Sequence, residues 1–180
     1  MEENTREIIK IGIVGAESTG KTTLCESLAE YFGAPFTVEK SREYLSAIDK
    51  KYSLEDILKI DSLQAEEEKI KSENNSGFLF CDTTAITNAV WAEYVFNSIP
   101  HQINERVRCE KINLYLLTNN EVEWEYDPLR EHPYEREAIF NSTKRILEHF
   151  QKKYFIIEGK NQERIENTIH LLKLHFQLNK

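Results

Sequence analysis

No stretch of this 180-residue sequence approaches the roughly 20 consecutive apolar residues that a membrane-spanning helix needs. The opening MEENTREIIK mixes acids and bases where a signal peptide would carry an apolar core. Cysteine is scarce: Cys25, Cys81 and Cys109 are far apart, odd in number and free of C-x-x-C spacing, which excludes a disulfide framework and the usual zinc spacings. A reduced, cytoplasmic chain is the expectation. Basic residues are outnumbered, 23 Lys and Arg against 31 Asp and Glu for a net charge of -8, which argues against an extended groove that neutralises nucleic-acid phosphates. Repeats, low-complexity tracts and linkers are also missing, so one domain over residues 1–180 is expected.

What the sequence does hold is an alternation of apolar, β-branched runs with amphipathic segments, the pattern of a parallel sheet with crossover helices. Residues 8–14, 35–39, Phe78–Asp82, 112–118 and 154–158 read as five buried strands. Leu24, Leu28 and Phe32 form a helical stripe closed by Gly33 as a C-terminal cap, and Ile165, Ile169, Leu172 and Phe176 form another. Ser53 and Asp56 resemble a capping box that starts a long acidic helix running through Gln64 to about Lys71. Residues 72–77 (SENNSG) read as the turn into the third strand.

The first strand leads directly into GAESTGKTT, residues 15–23, and then a helix. This is the G-x-x-x-x-G-K-[ST] form of a phosphate-binding loop, and each part has a mechanical reason. Gly15 and Gly20 permit backbone turns that aim successive N–H groups, among them those of Glu17, Ser18, Thr19 and Thr23, at phosphates. Lys21 supplies a cation for the β- and γ-phosphates, Thr22 a hydroxyl ligand for Mg²⁺, and the helix N-terminus its partial positive charge. Asp82, closing FLFCD on another strand, is the partner carboxylate expected to organise the metal, and it can also cap the helix that begins near Thr84.

Such loops serve many reactions, so the remainder of the chain must name one. Residues 119–135 are irregular and charged, with two prolines, as in a lid that closes over a phosphoryl-transfer site. In it Arg130 can reach a transferring phosphate, and Arg136 lies beyond it on the next helix; both can equally be surface charges. Glu39, ending the second strand beside Arg42 and Glu43, can accept the proton of an attacking hydroxyl.

Together, GAESTGKTTL, Glu39 to Tyr44, Gln64, the FCDTT-x-IT motif and W-x-x-D-x-L-R from Trp124 through Asp127 to Arg130 resemble the ribosylnicotinamide kinase domain of NadR-type proteins. The resemblance runs from the first strand to the last helix. It implies an α/β P-loop NTPase fold, nucleoside-monophosphate-kinase-like, with a five-stranded parallel sheet, flanking helices and a lid. It further implies ATP with Mg²⁺ as donor and the 5′-hydroxyl of nicotinamide riboside as acceptor, giving nicotinamide mononucleotide. A stand-alone kinase is expected, without the helix-turn-helix segment or adenylyltransferase domain of larger family members.

Two departures stand out. The family's W-E-Y-G-R-E is replaced by Val38-Glu39-Lys40-Ser41-Arg42-Glu43, which removes an aromatic from the acceptor pocket, and D-T-D by Asp82-Thr83-Thr84, which removes a carboxylate. Tyr44, Trp91, Tyr94 and Trp124 remain as rings that could stack on a pyridinium, with Trp91 and Tyr94 also readable as core. The expected machinery is Lys21 and the loop amides on phosphate, Thr22 and Asp82 on Mg²⁺, Glu39 on the hydroxyl proton and Arg130 on developing charge. Glu43 and Asp82 stay open as alternative bases, and GTP as an alternative donor. Another nucleoside or small-molecule acceptor, or an ATP-binding sensor without kinase activity, stands as the rival reading.

Overall fold

In the computed structural model, which describes residues 8–48, 51–125 and 134–178, strand β1 (Ile9–Val14) lies at the centre of a wholly parallel sheet. The strands β2 (Phe36–Thr37), β3 (Phe78–Asp82), β4 (Leu114–Thr118) and β5 (Tyr154–Ile157) complete it in the order β2-β3-β1-β4-β5. Helices α1 (Lys21–Phe32) and α7 (Asn161–His175) cover one face. On the other lie α3 (Leu54–Glu73), α4 (Ala85–Phe96), α5 (His101–Cys109) and α6 (Arg136–His149). The short α2 (Lys40–Ala47) packs on α3 at the β2 edge.

Strand alternation sorts the core into two layers. Ile11, Ile13, Phe78, Phe80, Leu114 and Leu116 pack under α1 and α7, with Leu24, Leu28 and Leu172 supplying the helical stripes. Val14, Tyr115 and Leu117 turn the other way, onto Ile86, Ala89 and Val90 of α4 and Ile139 and Ile146 of α6. No described helix is long and apolar enough to cross a membrane.

Local signals set the helix ends. Gly33 adopts the left-handed conformation and its N–H returns to the carbonyls of α1. Ser53 and Asp56 form the expected capping box, and α3 runs to Glu73, two residues past the expected end. The second strand is shorter than expected: Glu39 is not its last residue but the N-cap of α2, because Gln64 Oε1 accepts from the Lys40 N–H at 3.0 Å and draws the chain out of the ladder. The N-cap of α4 is Thr84, whose hydroxyl accepts from the Ile86 N–H at 3.3 Å, so Asp82 is spared that task. Helix α5 has no counterpart in the sequence reading. Asp127 and Arg130, in the central part of the expected lid, lie outside the described residues.

Candidate functional site

The loop after β1 emerges between its two neighbour strands. Ile13 is in register with Asp82 of β3, and Val14 with Leu117 of β4, which places residues 15–20 at the carboxyl edge where ligands of open α/β sheets bind. Gly15 has φ +143°, and a Cβ there would meet Thr118 Oγ1 at 2.4 Å, so only glycine fits. Thr118 and Thr19 share a hydroxyl hydrogen bond of 2.7 Å, and Thr19 Oγ1 donates to the Ala16 carbonyl at 2.8 Å. Gly20, at φ +76°, turns the chain into α1.

Lys21 follows, with Nζ donating to the Ala16 carbonyl at 2.7 Å, folded back across the loop. Thr22 Oγ1 donates to Asp82 Oδ2 at 2.6 Å, which brings the hydroxyl and the strand-end carboxylate together. Asp82 is buried, its Oδ1 has no hydrogen-bond partner among the described residues, and burial pushes its carboxyl up to about 6, with Thr22 and Lys21 pulling it down. An orphaned carboxylate oxygen beside a hydroxyl fits a small oxygen-seeking cation such as Mg²⁺, which takes one or two protein ligands and fills the rest of its shell with phosphate and water. No group of three or more His, Cys, Asp or Glu able to hold a metal exists among the described residues.

From this loop a cavity of about 660 Å³ runs toward the β2 edge. Its walls are residues 17–23, Glu39, Ser41 and Arg42 at the start of α2, Tyr52 and Ile57 at the start of α3, and one face of α4 bearing Thr87, Asn88, Trp91 and Val95. Glu39 accepts from Ser41 Oγ at 2.6 Å and pairs with Arg42 Nε at 3.4 Å. Gln64 ties this region to the Thr22–Asp82 corner, since its Nε2 reaches Thr37 Oγ1 at 3.2 Å and the Asp82 carbonyl at 3.5 Å while its Oε1 holds the Lys40 N–H. Glu39 and Thr22 therefore open onto one cavity that also holds the phosphate loop, with Asp82 buried behind Thr22.

Other expected residues fall elsewhere. Glu43 is on the exposed side of α2, facing Lys40 at 3.8 Å, and does not line the cavity. Tyr44 is turned to α3, its hydroxyl donating to Asp56 Oδ1 at 2.8 Å. Trp91 is a wall of the cavity and meets Tyr94 edge-on at 6.1 Å, while Tyr94 stays outside it. Trp124 lies in the segment leaving β4 that returns over the phosphate loop, where the Glu125 N–H donates to Ser18 Oγ at 2.8 Å.

Two arginines brace that loop from behind. Arg136, the first residue of α6, donates to the Ser18 carbonyl at 3.3 Å and to Val122 O at 2.8 Å. Arg164 is buried in α7 and donates to Thr19 O at 2.5 Å, Asn119 Oδ1 at 2.6 Å and Gly159 O at 2.8 Å. A smaller cleft of about 210 Å³ opens beside these contacts, between Thr23, Leu24, Val122, Asn161 and Ile165. Arg164 was not foreseen: two of its three partners are 145 and 45 residues away, and its own segment reads as an ordinary amphipathic helix.

Residues 10–164 match the family described as AAA domain, and the chain belongs to that family. No curated protein matches significantly. Among solved structures, NadR protein in complex with NR superposes with a TM-score of 0.80 at 23% identity, covering 96% of this chain and 52% of that one. NadR protein in complex with NAD and AMP-PNP gives 0.78 at 22%, covering 97% and 51%. Thymidylate kinase from Ehrlichia chaffeensis gives 0.65 at 17%, covering 92% and 98%. The fold is that of the P-loop nucleotide kinases, and this chain spans about half the length of the NadR chains it matches.

Proposed function

We propose that this chain is a P-loop kinase that transfers the γ-phosphoryl group of ATP to a nucleoside hydroxyl, with the 5′-hydroxyl of nicotinamide riboside as the first acceptor to test. The observation that carries the reading is the continuity of one cavity from the phosphate loop, past Thr22 with Asp82 bonded behind it, to Glu39 and the α4 wall. A switch or motor needs only the first half of that space. A kinase needs both halves in contact, so that donor phosphate and acceptor hydroxyl meet in line.

In this reading Lys21 leaves the Ala16 carbonyl for the β- and γ-phosphates, and the loop N–H groups hold the remaining oxygens. Thr22 and Asp82 would hold Mg²⁺, which when bound neutralises phosphate charge. Glu39, steadied by Ser41 and Arg42, orients the acceptor hydroxyl and takes its proton as the bond to phosphorus forms. Arg130 is assigned the charge that develops on the transferring phosphoryl group. The smaller cleft by α7 suits the base of the donor. The NadR structures carrying NR and AMP-PNP support the choice of acceptor and donor by likeness of fold.

A second acceptor class is favoured by one observation. Val38, at the position of the missing aromatic, is exposed and does not line the cavity, so the aromatic wall here is Trp91 with Tyr52. Such a rearranged wall suits other planar bases as well. The test is ADP release from Mg·ATP with and without nicotinamide riboside, followed by mass spectrometry of the acceptor. One added phosphate on the riboside is expected. Tight ATP binding with no acceptor-dependent ADP would leave the sensor reading instead.

A further inference from the structure

Helix α4 presents two faces of opposite character. Ala85, Ile86, Ala89 and Val90 enter the core, while Thr87, Asn88 and Trp91 line the large cavity. Two polar side chains on this second face are more than nine-tenths buried, Thr87 at 7% exposure and Asn88 at 4%. Thr87 Oγ1 has no hydrogen-bond partner among the described residues. Buried polar groups left unmatched in a folded chain point to a ligand that matches them.

The orientation of Asn88 is fixed from behind. Its Nδ2 donates to Asp61 Oδ1 at 2.9 Å, and a carboxylate can only accept, so the amide cannot turn over without facing oxygen to oxygen. Asp61 is held in turn by Arg106 at 3.5 Å, Arg106 also faces Glu68 at 3.7 Å, and Lys10 pairs with Glu68 at 2.8 Å. Two cations and two carboxylates thus form a linked set of ion pairs across β1, α3 and α5, with the buried Glu110 carboxyl also near Arg106. What Asn88 has left to offer the cavity is its carbonyl oxygen. Beside it Thr87 adds a hydroxyl that can donate, and Trp91 adds a flat apolar surface.

We propose that Asn88, oriented by Asp61, is the specificity residue of the acceptor pocket, selecting planar rings that present an N–H donor over those that present a carboxylate or carbonyl oxygen. Asp61 is a positioning residue that acts through Asn88. This inference rests on the kinase reading above and adds the edge chemistry of the acceptor to it. An amino or amide edge donates to Asn88 Oδ1, with Thr87 free to donate to an adjacent ring nitrogen or carbonyl. A carboxylate or oxo edge sets lone pair against lone pair at a desolvated position, where an unmatched group discriminates strongly.

The experiment compares kcat/KM for two matched pairs with Mg·ATP: nicotinamide riboside against its carboxylate analogue, nicotinate riboside, and cytidine against uridine. The unaltered protein is expected to prefer the amino or amide member of each accepted pair over the carboxylate or oxo member by about 100-fold or more. Asn88→Ala should bring the ratio to within about tenfold, and so should Asp61→Asn, where Asn88 itself is intact but free to turn its amide over. The Asp61→Asn ratio is a readout that a loss of stability alone would not move. A ratio near one, or reversed, in the unaltered protein overturns the inference and leaves the kinase standing. Turnover of none of the four acceptors overturns the kinase reading and this inference together.

Discussion

Glu110 offers a direct test of how the α4 wall is anchored. It sits just past α5, buried against the start of α4, where its Oε2 accepts from the Ala85 N–H at 3.2 Å and its Oε1 accepts from the Tyr115 hydroxyl. Burial pushes its carboxyl up from 4.5 to about 7, with Tyr115 and Arg106 pulling it back. A carboxyl whose pKa is raised by folding binds more protons in the native than in the unfolded state between those two values. Its contribution to stability is therefore present at low pH and is lost as pH rises through about 7. The two pKa values give a loss of about 2–3 kcal/mol between roughly pH 5 and pH 8. Glu110→Gln removes the titration but keeps the contacts satisfiable: the amide oxygen accepts from Ala85 N–H and the amide nitrogen donates to the Tyr115 oxygen. Urea unfolding of both proteins at a series of pH values should show the difference moving toward the variant by that amount as pH rises. Two curves that stay parallel over this range would refute the reasoning, because a fixed offset reports packing and not the ionisation of a buried carboxyl.

Three further outcomes follow from the same geometry. Lys21→Ala should lower phosphoryl transfer by about a hundredfold or more while the melting temperature stays within a few degrees, checked by coupled ADP assay and thermal melt. Glu39→Gln should lower kcat by about 10²- to 10⁴-fold and leave ATP affinity, read by calorimetry, nearly unchanged. Arg164→Lys loses the fork that joins Thr19, Asn119 and Gly159, so the KM for ATP should rise about tenfold or more with the acceptor KM steady.

The parts of this molecule legible in the sequence are those written in short range. The phosphate loop needs glycines at fixed offsets because Gly15 passes against Thr118, and Asp82 ends a fully buried strand, so both announce themselves locally. Gly33, Ser53 and Asp56 likewise mark helix ends through bonds spanning a few residues. The end of β2 was misread because what frees Glu39 from the sheet is Gln64, 24 residues beyond the Lys40 N–H it holds. Tyr44 looked like a ring for a ligand, and only the tertiary contact with Asp56 shows it turned away. Helix α5 did carry a signal, Pro100 before the first turn with Ile103 and Val107 four apart, but in a segment too short to stand out. The network behind Asn88 is invisible in one dimension, since Lys10, Asp61, Glu68, Asn88 and Arg106 come from four separate elements.

The central claim is that donor phosphates and an acceptor nucleoside occupy one continuous cavity. The most direct measurement is the affinity of a single compound in which adenosine is joined through a polyphosphate bridge to the 5′-oxygen of the acceptor nucleoside, compared by calorimetry with ATP and with the nucleoside alone. Occupation of both halves at once predicts binding at least about 100-fold tighter than either part, a gain lowered together with activity by Lys21→Ala. Affinity no better than that of ATP would mean that the acceptor half is unused, and would contradict the account.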